Sequence, residues 1–134
     1  MDNKLTHLQM VQAVITRMAG NSFLLKGWSV TLVSALLALA ADKSNRTFAL
    51  VGYLPVLMFW ALDAYFLRQE RLFRALYDTV RGQDAAKIDF SMNTAPYVSQ
   101  VSGVLRVGLS RTLLIFHGVL LGTVFLVSWL LTLN

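Results

Sequence analysis

Residues 112–134, TLLIFHGVLLGTVFLVSWLLTLN, contain no Asp, Glu, Lys or Arg. As a helix this stretch is about 34 Å long, enough to cross the hydrocarbon of a bilayer with some tilt. Two further stretches behave in the same way. Residues 27–41, GWSVTLVSALLALAA, are uncharged, and adding Phe23 to Lys26 gives a 19-residue span of about 28 Å. Residues 47–62 are uncharged as well, and their apolar run continues to Leu67 around a single Asp63. The turn between them, Asp42-Lys43-Ser44-Asn45-Arg46, is short and polar, so the first two spans form an antiparallel hairpin. Asn21 or Ser22 is suited to cap the start of the first span, and Lys26 to snorkel from it to the headgroups.

Composition supports this reading. Charged residues are 14% of the chain and hydrophobic residues 56%, whereas a soluble domain carries roughly a quarter charged residues. The deficit lies in the long uncharged stretches. At 134 residues the chain has room for one domain. It has no cysteine, which excludes disulfides, thiolate metal sites and cysteine nucleophiles. Ala38-Leu39-Ala40 resembles a signal-peptidase site. The mostly polar segment before the first span is long for a secretory leader, so an uncleaved span is expected.

The net charge is +5. In a soluble protein this would suggest a nucleic-acid partner, but in a membrane protein its first meaning is topological. Lys43 and Arg46 lie in the first turn. Lys4, Arg17 and Lys26 precede it, and Arg68, Arg71, Arg74, Arg81, Lys87, Arg106 and Arg111 lie between the second and third spans. That bias places the N-terminus and the middle segment in the cytoplasm of a bacterial inner membrane, with the C-terminus at the outer face.

Three cytoplasmic pieces accompany the spans. Residues 4–19 have Leu5, Leu8, Val11, Ile15 and Met18 at helical spacing, which predicts an amphipathic helix lying on the membrane or on a partner subunit. Residues 68–81 continue the second span without Pro or Gly, predicting one helix from about Thr47 to Arg81. Leu72, Phe73, Leu76 and Val80 form its apolar face. Residues 82–96 read as a loop. A short helix starting near Pro96, with Thr94 as cap, meets Gly103 and Gly108 before the third span and either bends at them or runs through. The expected fold is therefore an all-α membrane protein: three transmembrane helices (23–41, 47–67, 112–134), an N-terminal amphipathic helix and a cytoplasmic extension of the second span.

Four features are candidates for function. Asp63 is a carboxylate at membrane depth, which suits a pore-lining or proton-linked role, or else a headgroup-level pair with Arg68. His117 lies one and a half turns into the third span and suits a pH-sensitive gate or a hydrogen bond between helices. Neither a second histidine nor a carboxylate accompanies it at metal-ligand spacing. Small residues recur as Gly27, Thr31 and Ala35 and as Gly118 and Gly122, which favours close helix contacts within or between subunits. Arg71, Arg74 and Arg81 lie near one face of the extended helix beside Tyr77. Such a set suits phosphate and base contacts, or attraction to anionic lipid. No Gly-rich phosphate loop, metal cluster or nucleophile–His–acid set is present, so neither an enzyme nor a cofactor is expected.

Three spans with few polar residues enclose little, and a ring of subunits, taken as a tetramer, would gather Asp63 or the Ser/Thr stripe around an axis. Asn21-Ser22-Phe23-Leu24-Leu25-Lys26-Gly27-Trp28, Phe59-Trp60-Ala61-Leu62-Asp63-Ala64-Tyr65 and Gln69-Glu70-Arg71-Leu72-Phe73 resemble segments of a small bacterial membrane-effector family of phage-defence loci, that of the Hailong system. The resemblance spans residues 21–81. It implies an oligomeric ion channel that arrests growth under a nucleic-acid or nucleotide signal, beside a nucleotidyltransferase-like partner. It assigns no residue a role. The resulting expectation is an oligomeric channel effector gated from the cytoplasm by an oligonucleotide-like ligand or a partner. The alternatives are a non-conducting anchor or adaptor and a small proton-coupled transporter using Asp63.

Overall fold

The computed structural model describes residues 2–133. They form helices joined by short turns and one longer connecting segment, with no strand. The first helix, α1 (Asp2–Lys43), is continuous over 42 residues, about 63 Å. Residues 4–19 are thus not a separate amphipathic helix but the first part of α1. Nor do Asn21 and Ser22 cap a helix start, because both lie mid-helix. A lone Gly20 costs a helix only about 1 kcal/mol, and packing along α3 of the same chain outweighs it.

Lys43 ends α1. Ser44 turns the chain with φ 49°, and the Asn45 side chain accepts from the Thr47 N–H at 2.9 Å to cap α2 (Arg46–Val51). After Gly52 comes α3 (Tyr53–Arg81). The single helix expected from Thr47 to Arg81 is therefore interrupted. Pro55 has no N–H to offer the Val51 carbonyl, so the helical ladder fails at that point. One turn earlier the Gly52 N–H bonds to Ala49 O at 3.0 Å, a tightened turn that closes α2. A Cβ added at Gly52 would stand 3.0 Å from the Ala49 carbonyl oxygen and 3.4 Å from Val124 Cγ2. Gly52→Ala should therefore destabilise the protein by about 1–3 kcal/mol, read as a lower thermal midpoint in detergent. An unchanged midpoint would show that the bend yields freely.

The segment between α3 and the last helix carries two short 3₁₀ turns, Ala85–Lys87 and Ala95–Gln100. Thr94 precedes the second turn but makes no side-chain cap bond. Gly103 starts the short α4 (Val104–Gly108), and a break at Leu109-Ser110 separates it from α5 (Arg111–Thr132). One helix therefore does not run through both glycines: α4 starts after Gly103, and the break before α5 follows Gly108 at Leu109-Ser110.

Three helical stretches are long and apolar enough to span a membrane: Asn3–Lys43, Arg46–Arg81 and Arg111–Thr132. Two apolar clusters hold the bundle together. At one end Val11 and Ile15 of α1 meet Leu76 and Val80 of α3 and Ile88 of the connecting segment, with Leu8, Phe73 and Tyr77 around them. Leu5, although on the predicted stripe, is 57% exposed, whereas His7 is buried. Towards the other end Val33, Val56 and Val124 join α1, α3 and α5. Between the two clusters lies a polar layer.

Candidate functional site

Helix geometry builds this layer. Ser22 and Lys26 are four residues apart and so share a face of α1. Asp63 lies seven residues from Val56 on the inward face of α3, and His117 lies between Leu113 and Val124 on the inward face of α5. The two chain directions bring them to one depth. Lys26 is three residues inside Phe23, and Asp63 is four residues inside Leu67.

Asp63 and His117 are both fully buried, and Asp63 is the hub. Ser22 Oγ donates to its Oδ1. Lys26 Nζ lies 2.6 Å from Oδ2, and His117 Nε2 lies 2.8 Å from the same oxygen. Lys26 also donates to Ser22 Oγ at 2.8 Å. One carboxylate thus ties the three long helices together. Because an ionised carboxylate only accepts, the His117 nitrogen facing it is the protonated one, which leaves Nδ1 as the lone-pair nitrogen of the neutral ring. That Nδ1 is buried without a hydrogen-bond partner among the described residues.

Aromatic rings close the layer. The Trp60 ring stacks on His117 with centroids 5.7 Å apart and planes 12° from parallel. Phe116 meets His117 edge-on at 5.1 Å, and Lys26 Nζ sits 5.9 Å from the Phe116 centroid. Trp60 is itself anchored, because its Nε1 donates to Gly108 O at 2.8 Å. Charges in so apolar a setting persist only when paired and hydrogen-bonded, which is what this arrangement provides. Chemically, it can hold a proton between Asp63 and His117 and couple its position to the packing of three helices.

Two readings made from sequence are corrected here. Asp63 does not pair with Arg68, whose Nε donates to Ser102 O at 3.2 Å. Lys26 does not snorkel outward; it turns in to Asp63. The carboxylate beside His117 comes from another helix, far away in sequence. Ser22 and Lys26 were missed as site residues. The signal that could have found them is a serine–lysine pair at helical spacing, at the depth of the only acidic residue of the spans. Among the described residues no three His, Asp or Glu side chains converge as metal ligands.

The other candidates lie elsewhere. Arg74 pairs with Glu70 and Arg81 with Asp78, each at 3.6 Å, so the basic stripe is partly neutralised. Tyr77 packs on the apolar cluster. Arg71 and Arg74 border a shallow groove with Gln100 and Ser102, and Arg74, Tyr77 and Arg81 border another with Gln12. Lys4 donates to the carbonyls of Arg81 and Gln83 at 3.1 and 2.7 Å and so closes the C-terminus of α3. Gly27, Thr31 and Ala35 are exposed, and a Cβ added at Gly27, Gly118 or Gly122 would meet nothing within 4 Å. Among the described residues these glycines make no close helix contact. Gly108 does, since a Cβ there would stand 3.5 Å from Ala64 Cβ.

In comparisons with protein-family models, curated proteins and solved structures, none matches the chain.

Proposed function

We propose that the chain is an oligomeric membrane channel effector in which the Ser22–Lys26–Asp63–His117 layer latches the three spans of each subunit. The observation that carries this reading is the buried Asp63, bonded to side chains from both other spans. An intramembrane carboxylate is costly, and where one occurs it usually serves function. Asp63 and His117 are enclosed within the subunit, so their role in this reading is to gate and not to line a pore. The outward small residues Gly27, Thr31, Ala35, Gly118 and Gly122 supply surfaces on which neighbouring subunits approach closely. In this reading the N-terminus and the middle segment lie in the bacterial cytoplasm, as the arginine bias favours. There the groove bordered by Arg71 and Arg74, and the one bordered by Arg74, Tyr77 and Arg81, receive an anionic, oligonucleotide-like signal. The resemblance to phage-defence effectors makes that signal the product of a nucleotidyltransferase-like partner.

Ion flux from liposomes holding the purified protein tests the reading. Short single-stranded oligonucleotides should raise the flux. Arg71→Gln combined with Arg74→Gln and Arg81→Gln should raise the oligonucleotide concentration required by an order of magnitude or more. Asp63→Asn should alter the flux without ligand. Inserted protein that passes no ions under any condition would overturn the channel. A second reading, a non-conducting anchor, draws on the apolar cluster of Val11, Ile15, Leu76 and Val80, which gives the ends of α1 and α3 a firm docking platform. A stoichiometric soluble partner recovered from membranes, together with absent conductance, would favour it.

A further inference from the structure

An apolar groove of about 270 Å³ runs between α3 and α4, lined by Leu57, Trp60, Ala64, Leu105, Gly108 and Leu109 among others. From Ala64 to Leu57 it follows α3 for about 10 Å, and it runs away from Arg68, towards the middle of the apolar span. Leu105 is 86% and Leu109 64% exposed at its wall. Outside the polar layer, the charged residues adjoining its lining in sequence are all of one sign. Arg106 follows Leu105 directly, Arg111 lies two residues beyond Leu109, and Arg68 is one turn from Ala64. None of the three forms an ion pair among the described residues, and residues 90–134 contain no Asp or Glu.

We propose that this groove is a binding site for an anionic phospholipid, with an acyl chain against Trp60 and Leu57 and the headgroup phosphate at Arg106 and Arg111. The inference rests on the three helices spanning a bilayer, and it requires neither conductance nor an oligonucleotide. Two independent features fix the occupant. The groove is almost wholly apolar and opens on a surface that belongs to a membrane span. The short helix that forms its wall carries Arg106 next to Leu105, and Arg111 follows two residues after Leu109; both are exposed and outside any ion pair among the described residues, and guanidinium groups take phosphate oxygens two at a time. Such a lipid would touch the face of α3 that carries Trp60. Trp60 stacks on His117 and is tethered to Gly108, so an occupied groove would brace the polar layer from outside.

The test uses the full chain with Trp28 and Trp129 changed to Phe, leaving Trp60 as the only indole. The protein is reconstituted in vesicles that mix phosphatidylcholine with phosphatidylglycerol, one or the other carrying brominated acyl chains. Brominated phosphatidylglycerol should quench Trp60 with an apparent association constant on the order of ten-fold above that of brominated phosphatidylcholine at low salt. Arg106→Gln with Arg111→Gln should abolish that preference. Resistance to alkaline carbonate extraction, measured on the same vesicles, reports insertion separately. Inserted protein quenched equally by both lipids, or by neither, overturns the site and leaves the spanning helices intact. A preference that survives the arginine changes overturns the assigned headgroup contacts. Protein that carbonate extracts overturns the site and the membrane reading together.

Discussion

Lys26→Met should destabilise the protein by about 3–5 kcal/mol in detergent, the cost of stranding a buried charge. Asp63 is fully buried and accepts from three side chains. Removing the ammonium leaves the carboxylate with only the Ser22 hydroxyl and the His117 ring. Adding Asp63→Leu to Lys26→Met should recover most of the loss, because an apolar replacement of a buried pair is often neutral or stabilising. His117 then lacks its acceptor, so recovery stays incomplete. Equilibrium unfolding of the two single variants and the double variant measures the coupling directly. If Lys26→Met falls within about 0.5 kcal/mol of the parent, the polar layer is not what joins the helices.

The second large effect is expected at Ile15→Asp. Ile15 is 2% exposed and packs with Val11, Leu76, Val80 and Ile88. A carboxylate placed there loses its apolar packing and most of its water, and Arg74 and Arg81, which border the groove that Ile15 also lines, offset only part of that, so the cost should be about 2–4 kcal/mol. The damage should stay local. The polar layer separates this cluster from the one around Val33, Val56 and Val124, so the ends of α1 and α3 can part while the spans remain packed. Because the chain has no cysteine, spin labels can be placed on new cysteines at Gln12 and Asp78, which border one groove. Their distance distribution should lengthen and broaden in Ile15→Asp, while carbonate resistance persists. An unchanged distribution would refute this account of the cluster.

The three long helices were legible because a run of residues without charge has few uses other than burial, and bilayer thickness sets its length. Their interruptions were only partly legible. Pro55 is visible in the sequence, yet whether a proline bends or ends a helix depends on what its neighbours pack against, here Val124 beside Gly52. The apparent boundary at Gly20-Asn21-Ser22 misled for a related reason. Cap-forming residues and a glycine mark a helix start only when no long-range packing carries the helix through them.

The site divides along the same line. Asp63 and His117 stand out in the sequence because a charge and an imidazole in apolar runs are conspicuous wherever the helices go. Ser22 and Lys26 do not, since near the end of a span serine and lysine are commonplace. Their role arises when α1 and α3 run antiparallel and bring residues 41 and 37 positions from Asp63 against it. The sequence by itself therefore determined the helical class, the membrane-length spans and the two costly residues, because these follow from local hydropathy and spacing. Only the tertiary structure decided that one carboxylate joins three helices and that the small-residue stripes face outward. It also decided that Trp60 lies between His117 and an apolar groove. Those facts depend on how each helix is rotated about its axis, and that rotation is set by the packing of all three helices together.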